Sequence, residues 1–139
     1  DSMRLNLMYS KDILTGIFLA KAKGHISITK NEDLLIGYRT KLTLNIRGSS
    51  SFLQGIERSL MQFGIQSKFS PQQNKSRPTP ILVISGIKNI ALVVHHLLVD
   101  LPDANDGLRD FKKAVRIVAE SRHLRLEGLE ELFKIKELI

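Results

Sequence analysis

Several residue types are absent or scarce in this chain, and each absence excludes a kind of protein. Its 139 residues include no cysteine and no tryptophan, and only four prolines. Without cysteine the chain forms no disulfide and offers no thiolate to a metal. Charged residues interrupt every apolar run within about ten positions, which is too short for a membrane-spanning helix. A chain of this length can bury a core unaided, so we expect one domain spanning residues 1–139.

Acidic residues are scarce in the first part of the chain. Residues 1–85 hold 12 Lys or Arg and 5 Asp or Glu, whereas residues 86–139 hold 9 of each kind. The whole net charge of +7 therefore lies in the first 85 residues. This asymmetry favours a polyanion as the partner of the first part, with solubility alone as the alternative explanation.

Hydrophobic periodicity predicts an α+β protein in which pairs of strands alternate with helices. The predicted order is α-β-β-α-β-β-α followed by two further helices. The helices are expected at residues 13–22, 52–63, 88–98, 106–122 and 126–139, and the strands at 25–29, 38–47, 65–70 and 81–85. Ser10 suits the N-cap of the first helix, and Gly24 is expected to permit the turn into the first strand.

The clearest strand runs from Tyr38 to Arg47, where apolar and polar residues alternate. Every second side chain of a strand lies on the same face, so this pattern separates an apolar face from a polar one. The polar face carries three cations, two hydrogen-bonding side chains and no acid: Arg39, Lys41, Thr43, Asn45 and Arg47. Such a mixture is typical of a surface that reads nucleic acid, because donors and acceptors recognise base edges while charge alone does not. The alternative is a solvated sheet face.

Residues 13–28 read ILTGIFLAKAKGHISI, which is an apolar helix, a short junction and the start of an alternating strand. This stretch resembles the signature of the LAGLIDADG homing endonucleases, whose junction is Asp-Gly/Ala-Asp/Glu-Gly. Here the junction is Lys21-Ala22-Lys23-Gly24. The order of elements is also similar over nearly the whole chain. The resemblance implies a half-domain whose curved four-stranded antiparallel sheet lies in the major groove of DNA, with extra C-terminal helices.

The resemblance also implies which residues would contact DNA. Strand alternation places ten polar residues on the groove side of the sheet, and the turn between the last two strands adds two cations for phosphates or outer bases. These residues are His25, Ser27, Thr29, Arg39, Lys41, Thr43, Asn45, Arg47, Gln66 and Lys68 in the strands, and Lys75 and Arg77 in the turn.

The catalytic acids of the family are the main departure. In that family an Asp or Glu at the end of the signature helix holds a divalent metal. Aligning on Gly24 puts Lys23 at that position and Lys21 at the preceding acid, while a register that starts at Leu14 puts Lys21 there. A charged lysine has no lone pair, so we expect no metal and impaired cleavage. The two lysines would either cover phosphates at the centre of the site or be favoured only by the helix C-terminus.

A second local match surrounds Lys88, in the run Ser85-Gly86-Ile87-Lys88. Family members carry a similar lysine near the scissile phosphate. Lys88 is therefore either that basic catalytic-site residue or an ordinary lysine at the start of a helix.

These expectations lead to a sequence-specific double-stranded DNA-binding protein that has lost, or nearly lost, nuclease activity. A single signature implies a homodimer formed through the helix at residues 13–22, and a near-palindromic target. Such a protein is a decayed endonuclease, a transcription regulator or an intron maturase that binds RNA. It would be intracellular, in an archaeal or bacterial cytoplasm or in an organelle, without a membrane or a cofactor.

Two alternatives remain open at this point. The first is an active endonuclease that uses Mg²⁺ held by Asp12, Glu32, Asp33 or by the acid of an intact partner half. The second is a protein-interaction domain whose basic face binds an acidic partner. The alternation between Tyr38 and Arg47 argues against the second, because it mixes hydrogen-bonding groups with the charges.

Overall fold

The computed structural model of the protein describes residues 8–71, 79–99 and 106–139, which form an α+β fold with five α-helices and four strands. In chain order these are α1 (Lys11–Lys21), β1 (Lys23–Lys30), β2 (Tyr38–Arg47), α2 (Ser50–Met61), β3 (Lys68–Ser70), β4 (Ile81–Ser85), α3 (Ile87–Leu97), α4 (Asp106–Ala119) and α5 (Leu126–Leu138). A 3-10 turn at Arg122–Leu124 joins the last two helices. None of the helices described is long and apolar enough to cross a membrane.

The four strands form one antiparallel sheet in the order β1-β2-β4-β3. The hairpin of β1 and β2 pairs Lys23 with Asn45 at one end and Lys30 with Tyr38 at the other. On its other side β2 pairs with β4 only from Thr43, opposite Ser85, to Arg47. Among the described residues, the first half of β2 therefore has no strand partner on the side away from β1.

The helices cover one face of the sheet, and the core lies between the two layers. Each of the five helices contacts a strand. Leu14 and Phe18 of α1 are fully buried in one hydrophobic cluster with Leu44 of β2. The apolar face predicted for residues 38–47 is the face that this cluster covers, because Leu42 and Ile46 are buried there as well.

Caps near Ser10 and Ser49 explain where two helices begin. The Ser10 hydroxyl accepts a hydrogen bond from the Ile13 amide at 3.3 Å, and the Ser49 hydroxyl accepts one from the Phe52 amide at 3.4 Å. Both serines have an extended backbone, as N-caps do. The second cap lets α2 begin at Ser50, two residues before the predicted start.

The predicted strand at residues 65–70 is wrong in its first half, because β3 contains only Lys68–Ser70. The Ile65 amide donates to the Leu60 carbonyl at 3.2 Å and so closes the end of α2. The Gln66 amide donates to Asn89 Oδ1 at 3.0 Å. These two donors are used elsewhere, so they are unavailable to a β-ladder.

Two further predictions are corrected by the backbone. The fourth helix ends at Ala119, three residues earlier than predicted, because Ser121 has a left-handed φ of 59° and the chain turns there. Gly24 does not form a turn, since it lies inside β1 opposite Leu44. Any Cβ at Gly24 would collide with the ring of Phe111, so this glycine makes room for α4 against the sheet.

Candidate nucleic-acid interface

The outer face of the sheet, which no helix of the described residues covers, is built from matched pairs of polar residues on β1 and β2. Directly opposed residues in an antiparallel ladder point to the same face. The pairs are Thr29 with Arg39, Ser27 with Lys41, His25 with Thr43, and Lys23 with Asn45. We call the surface made by these eight residues, together with Arg47, Lys68 and Ser85, the outer face.

Exposure separates the outer face from the core face. Residues His25, Ser27 and Thr29 of β1 and Arg39 and Lys41 of β2 are exposed. Towards the middle of the sheet, Thr43, Asn45 and Arg47 are partly buried. Arg39 and Lys41 thus form an exposed cationic end of β2, while the shorter hydrogen-bonding groups of Thr43 and Asn45 lie nearer the middle of the sheet with Arg47.

Strands β4 and β3 continue the outer face. Val83 pairs with Asn45 on one side and with Lys68 on the other, so one row crosses all four strands from Lys23 to Lys68. Ser85 pairs with Thr43 and is exposed. Ser85 and Lys23 were not among the residues predicted for this face. The pairing of Ser85 with Thr43 and of Lys23 with Asn45 assigns them to it, and this register cannot be read from the sequence alone.

Asn45 carries an amide oxygen with no partner within the part of the chain that the structure describes. Its Oδ1 atom is buried and accepts no hydrogen bond there. An amide side chain offers both an acceptor and two donors, and leaving a buried one unpaired costs about 1–3 kcal/mol. Asn45 thus carries an amide oxygen with unused hydrogen-bonding capacity near the centre of the outer face.

Four cations of the outer face have no acidic partner among the residues that the structure describes. The side chains of Lys23, Arg39, Lys41 and Lys68 make no ion pair with any residue in the ranges described. The ion pairs observed lie on α4 and α5 and in the turn between them, for example Arg122 with Glu120 at 2.9 Å. Unpaired cations on one face create a positive field that attracts a polyanion.

The junction between α1 and β1 directs its two lysines to different places. The Ala22 amide donates to the Phe18 carbonyl at 3.0 Å and ends the helix. Lys21 Nζ lies 5.8 Å from the centre of the Phe52 ring, so its charge faces the start of α2. Lys23 begins β1 and lies on the outer face.

The side chains at this junction do not fit a divalent metal. A hollow of about 230 Å³ beside it is lined by residues 20–24, Gly107, Leu108 and Ile139, and no Asp or Glu side chain contributes to it. In the described ranges no three His, Asp or Glu residues come together as a possible metal site. Divalent cations of the Mg²⁺ type need oxygen ligands, whereas the ammonium groups here would repel them.

The three acids considered as substitutes lie elsewhere. Asp12 is in the first turn of α1, about 14 Å along the helix axis from Lys21. Glu32 and Asp33 are exposed in the turn after β1, beyond the opposite end of that strand and about 25 Å from Lys23. None of them is positioned to replace an acid at the junction.

The other residues predicted for the site do not all lie on the outer face. Lys88 is exposed in the first turn of α3 and borders a cleft with Arg39 and Lys41, beside the half of β2 that β4 does not cover. Gln66 is exposed but precedes β3, so it has no strand position. Lys75 and Arg77 lie outside the described residues.

The fold is shared with solved LAGLIDADG homing endonucleases. The homing endonuclease I-TnaI matches with a TM-score of 0.79 and 16% identity, over 96% of this chain and 89% of that one. An archaeal intron-encoded homing endonuclease complexed with DNA matches at 0.72 and 17%, over 91% and 79% of the two chains. The LAGLIDADG homing endonuclease I-SmaMI, bound to cleaved DNA, matches at 0.74 and 16% over 92% of this chain.

The shared lengths differ between these structures. This chain spans most of I-TnaI but only 43% of the I-SmaMI chain. No protein-family model and no curated protein sequence matches the chain. The α+β architecture with a four-stranded antiparallel sheet is therefore the LAGLIDADG homing endonuclease fold, as the signature at residues 13–28 predicted.

Proposed function

We propose that this protein is a sequence-specific double-stranded DNA-binding protein of the LAGLIDADG homing endonuclease family, with impaired cleavage. The observation that carries this proposal is the outer face, where the cations Lys23, Arg39 and Lys41 share paired strands with hydroxyl and amide groups. Two of the solved structures that share the fold, I-SmaMI and the archaeal intron-encoded homing endonuclease, are bound to DNA, which supports the proposal.

The chemistry of the outer face suits base edges as well as phosphates. The major groove of DNA admits a two-stranded β-ribbon. Arginine and lysine pair with guanine, asparagine pairs with adenine, and serine or threonine bonds to either. Asn45 supplies an amide on this face whose oxygen has no partner among the described residues, while the exposed Arg39 and Lys41 reach further towards bases or phosphates. A merely acidic protein partner would not require these amide and hydroxyl groups.

The lysines at the junction support impaired cleavage. Phosphodiester hydrolysis in this fold depends on a metal, and Lys21 and Lys23 supply no ligand for one. An active endonuclease remains the second candidate, since an acid from a partner half would serve; it would require Mg²⁺ or Mn²⁺. The outer face is equally compatible with an RNA-binding maturase, which a comparison of duplex DNA with structured RNA would separate. All three functions place the protein inside a cell.

We also propose a homodimer that forms through α1. Ile13 is 52% exposed, and Gly16 and Ala20 are exposed at positions that share one side of the helix. A second copy packed there by a two-fold axis would place two outer faces side by side, and the target would then be a near-palindrome. Ile13→Asp should convert the dimer to monomer in sedimentation experiments, whereas Met61→Asp, at another exposed apolar residue, should not.

The DNA-binding proposal is tested by removing charge from matched places. Arg39→Ala with Lys41→Ala removes two cations from the outer face, and Lys134→Ala with Lys136→Ala removes two exposed cations from α5. We expect the first pair to weaken duplex binding by about tenfold or more per residue, and to lower the salt dependence. The second pair should leave both nearly unchanged. Equal losses from the two pairs would mean non-specific attraction and would refute the assignment of the outer face.

A further inference from the structure

A cleft of about 720 Å³ opens at the edge of the outer face, where β4 leaves the first half of β2 unpaired. Its other walls are the first turn of α3, the end of α4 and the 3-10 turn. We call it the side cleft. Its volume lies within the range of about 300–1,000 Å³ that is typical of sites for small organic molecules.

The mouth of the side cleft is cationic. Arg39, Lys41 and Lys88 border it, and no acid does. None of the three side chains has an ion pair or hydrogen bond to any residue that the structure describes. The first turn of α3 adds amides without a side-chain cap, because its N-cap is Gly86. This combination of free cations and helix amides suits a phosphate group.

Two residues that line the side cleft each carry a buried polar atom without a hydrogen-bond partner among the described residues. Thr40 Oγ1 and His123 Nδ1 are both buried and make no hydrogen bond within the described part of the chain. They come from residues far apart in sequence that border the same cleft. Burial lowers the pKa of His123, so its imidazole is neutral near pH 7 and provides one donor and one acceptor. Buried groups of this kind are usually satisfied by a partner.

Apolar side chains complete the wall. Val118 at the end of α4 and the 51%-exposed Leu124 in the 3-10 turn both border the side cleft. A flat ring between such side chains, with hydrogen bonds at its edge, is how extruded bases are held in other proteins. An inorganic phosphate would use the cations but would leave Thr40, His123 and this apolar wall without a contact.

We propose that the side cleft binds one nucleotide, with its phosphate at Arg39, Lys41 and Lys88 and its base hydrogen-bonded to Thr40 and His123. The nucleotide is either a free mononucleotide or one that leaves the stack of the bound duplex. The second source rests on the proposed DNA-binding function. Extrusion of a base costs a few kcal/mol, which contacts in the side cleft would offset.

The free source is tested by amide NMR shifts of the intact protein. The four deoxynucleoside monophosphates and inorganic phosphate are titrated separately. We expect a nucleotide to shift the amide signals of Thr40 and His123. The Thr40→Val variant should bind that nucleotide at least tenfold more weakly than the wild type does. Inorganic phosphate should bind to the wild type no more tightly than the nucleotide binds to Thr40→Val. Equal binding of inorganic phosphate and nucleotide, or the same nucleotide affinity in Thr40→Val, would overturn the proposal. The valine replacement keeps the shape of the side chain and so preserves the fold.

The duplex source is tested with 2-aminopurine placed at successive positions of a bound duplex. A fluorescence rise at one position for the wild type, lost in Thr40→Val and His123→Leu but retained in His95→Leu, supports extrusion into the side cleft. Normal duplex binding, no fluorescence rise and no nucleotide shift together overturn this inference while leaving DNA binding intact. Failure of the wild type to bind any duplex refutes the proposed function instead, and the nucleotide titration still decides the side cleft.

Discussion

The ammonium nitrogen of Lys21 lies 5.8 Å from the centre of the Phe52 ring, so the last residue of α1 contacts the first turn of α2. This cation therefore has a partner within the fold, whereas Lys23, two residues later, has none among the residues described. The two lysines of the junction are chemically alike but have different surroundings.

Different effects are expected when each lysine is removed. Lys21→Ala should lower the free energy of unfolding by about 1 kcal/mol, because it loses a cation–π contact and a favourable charge at a helix C-terminus. Lys23→Ala should leave unfolding nearly unchanged and weaken duplex binding by about tenfold. Urea unfolding and a binding titration of both variants check this. The same loss of stability in both would contradict the division of roles.

The contact between Gly24 and Phe111 gives a second prediction. Gly24→Ala should lower the free energy of unfolding by about 1–3 kcal/mol, because the new methyl group overpacks the space that the Phe111 ring fills. In the background of Phe111→Leu the same substitution should cost much less, and a double-mutant cycle in urea measures the difference. Strictly additive losses would show that the ring is not the cause.

The pH dependence of stability should report the burial of His123. Burial lowers the pKa of His123 from its usual 6.5. As pH falls below that value, the unfolded chain takes up a proton at His123 before the folded protein does. The free energy of unfolding should therefore decrease as pH falls from about 6.5 to the lower folded pKa of His123, and this loss should persist at lower pH. His123→Gln should flatten this part of the curve in urea unfolding. An NMR titration of the His123 ring with a midpoint above 6.5 would contradict the prediction.

Metal dependence separates binding from cleavage. We expect the wild type to bind its duplex equally well with a chelator or with Mg²⁺, and not to cut it. Lys23→Asp should introduce an oxygen ligand at the junction, so that Mn²⁺ broadens the amide signals near Gly24 more than in Lys23→Ala. Efficient Mg²⁺-dependent cutting of the target by the wild type would disprove impaired cleavage.

Parts of this fold follow directly from local sequence. The bounds of β2 and β4 agree with the prediction because the apolar positions of Tyr38–Arg47 and the short apolar run Ile81–Ser85 are direct signs of strands. The first half of the predicted strand at residues 65–70 is not a strand, because its amides close α2 and bond to Asn89. Hydrogen bonds of this kind do not appear in the hydrophobic periodicity of the sequence, so the sequence could not predict them.

The candidate site likewise combines residues that local sequence predicts with residues that only long-range packing brings to it. The alternation along β2 was enough to place Arg39 and Lys41 on the outer face, whereas Ser85 joined it only through its pairing with Thr43. The side cleft had no sequence signal, since it depends on packing that brings Thr40 of β2 and His123 of the 3-10 turn to the same cleft. The residue types at the junction predict poor metal binding, and the geometry adds that no Asp or Glu side chain of the described ranges lines the hollow beside it.

A binding selection on a randomised duplex library tests the central claim most directly. The purified wild-type protein is used at moderate salt without divalent metal, so that cleavage does not remove bound sequences. The outer face predicts enrichment of one long, near-palindromic consensus, and the Arg39→Ala with Lys41→Ala variant should enrich it less. Recovery of no sequence above background by the wild type would contradict the assignment of this protein as a DNA reader.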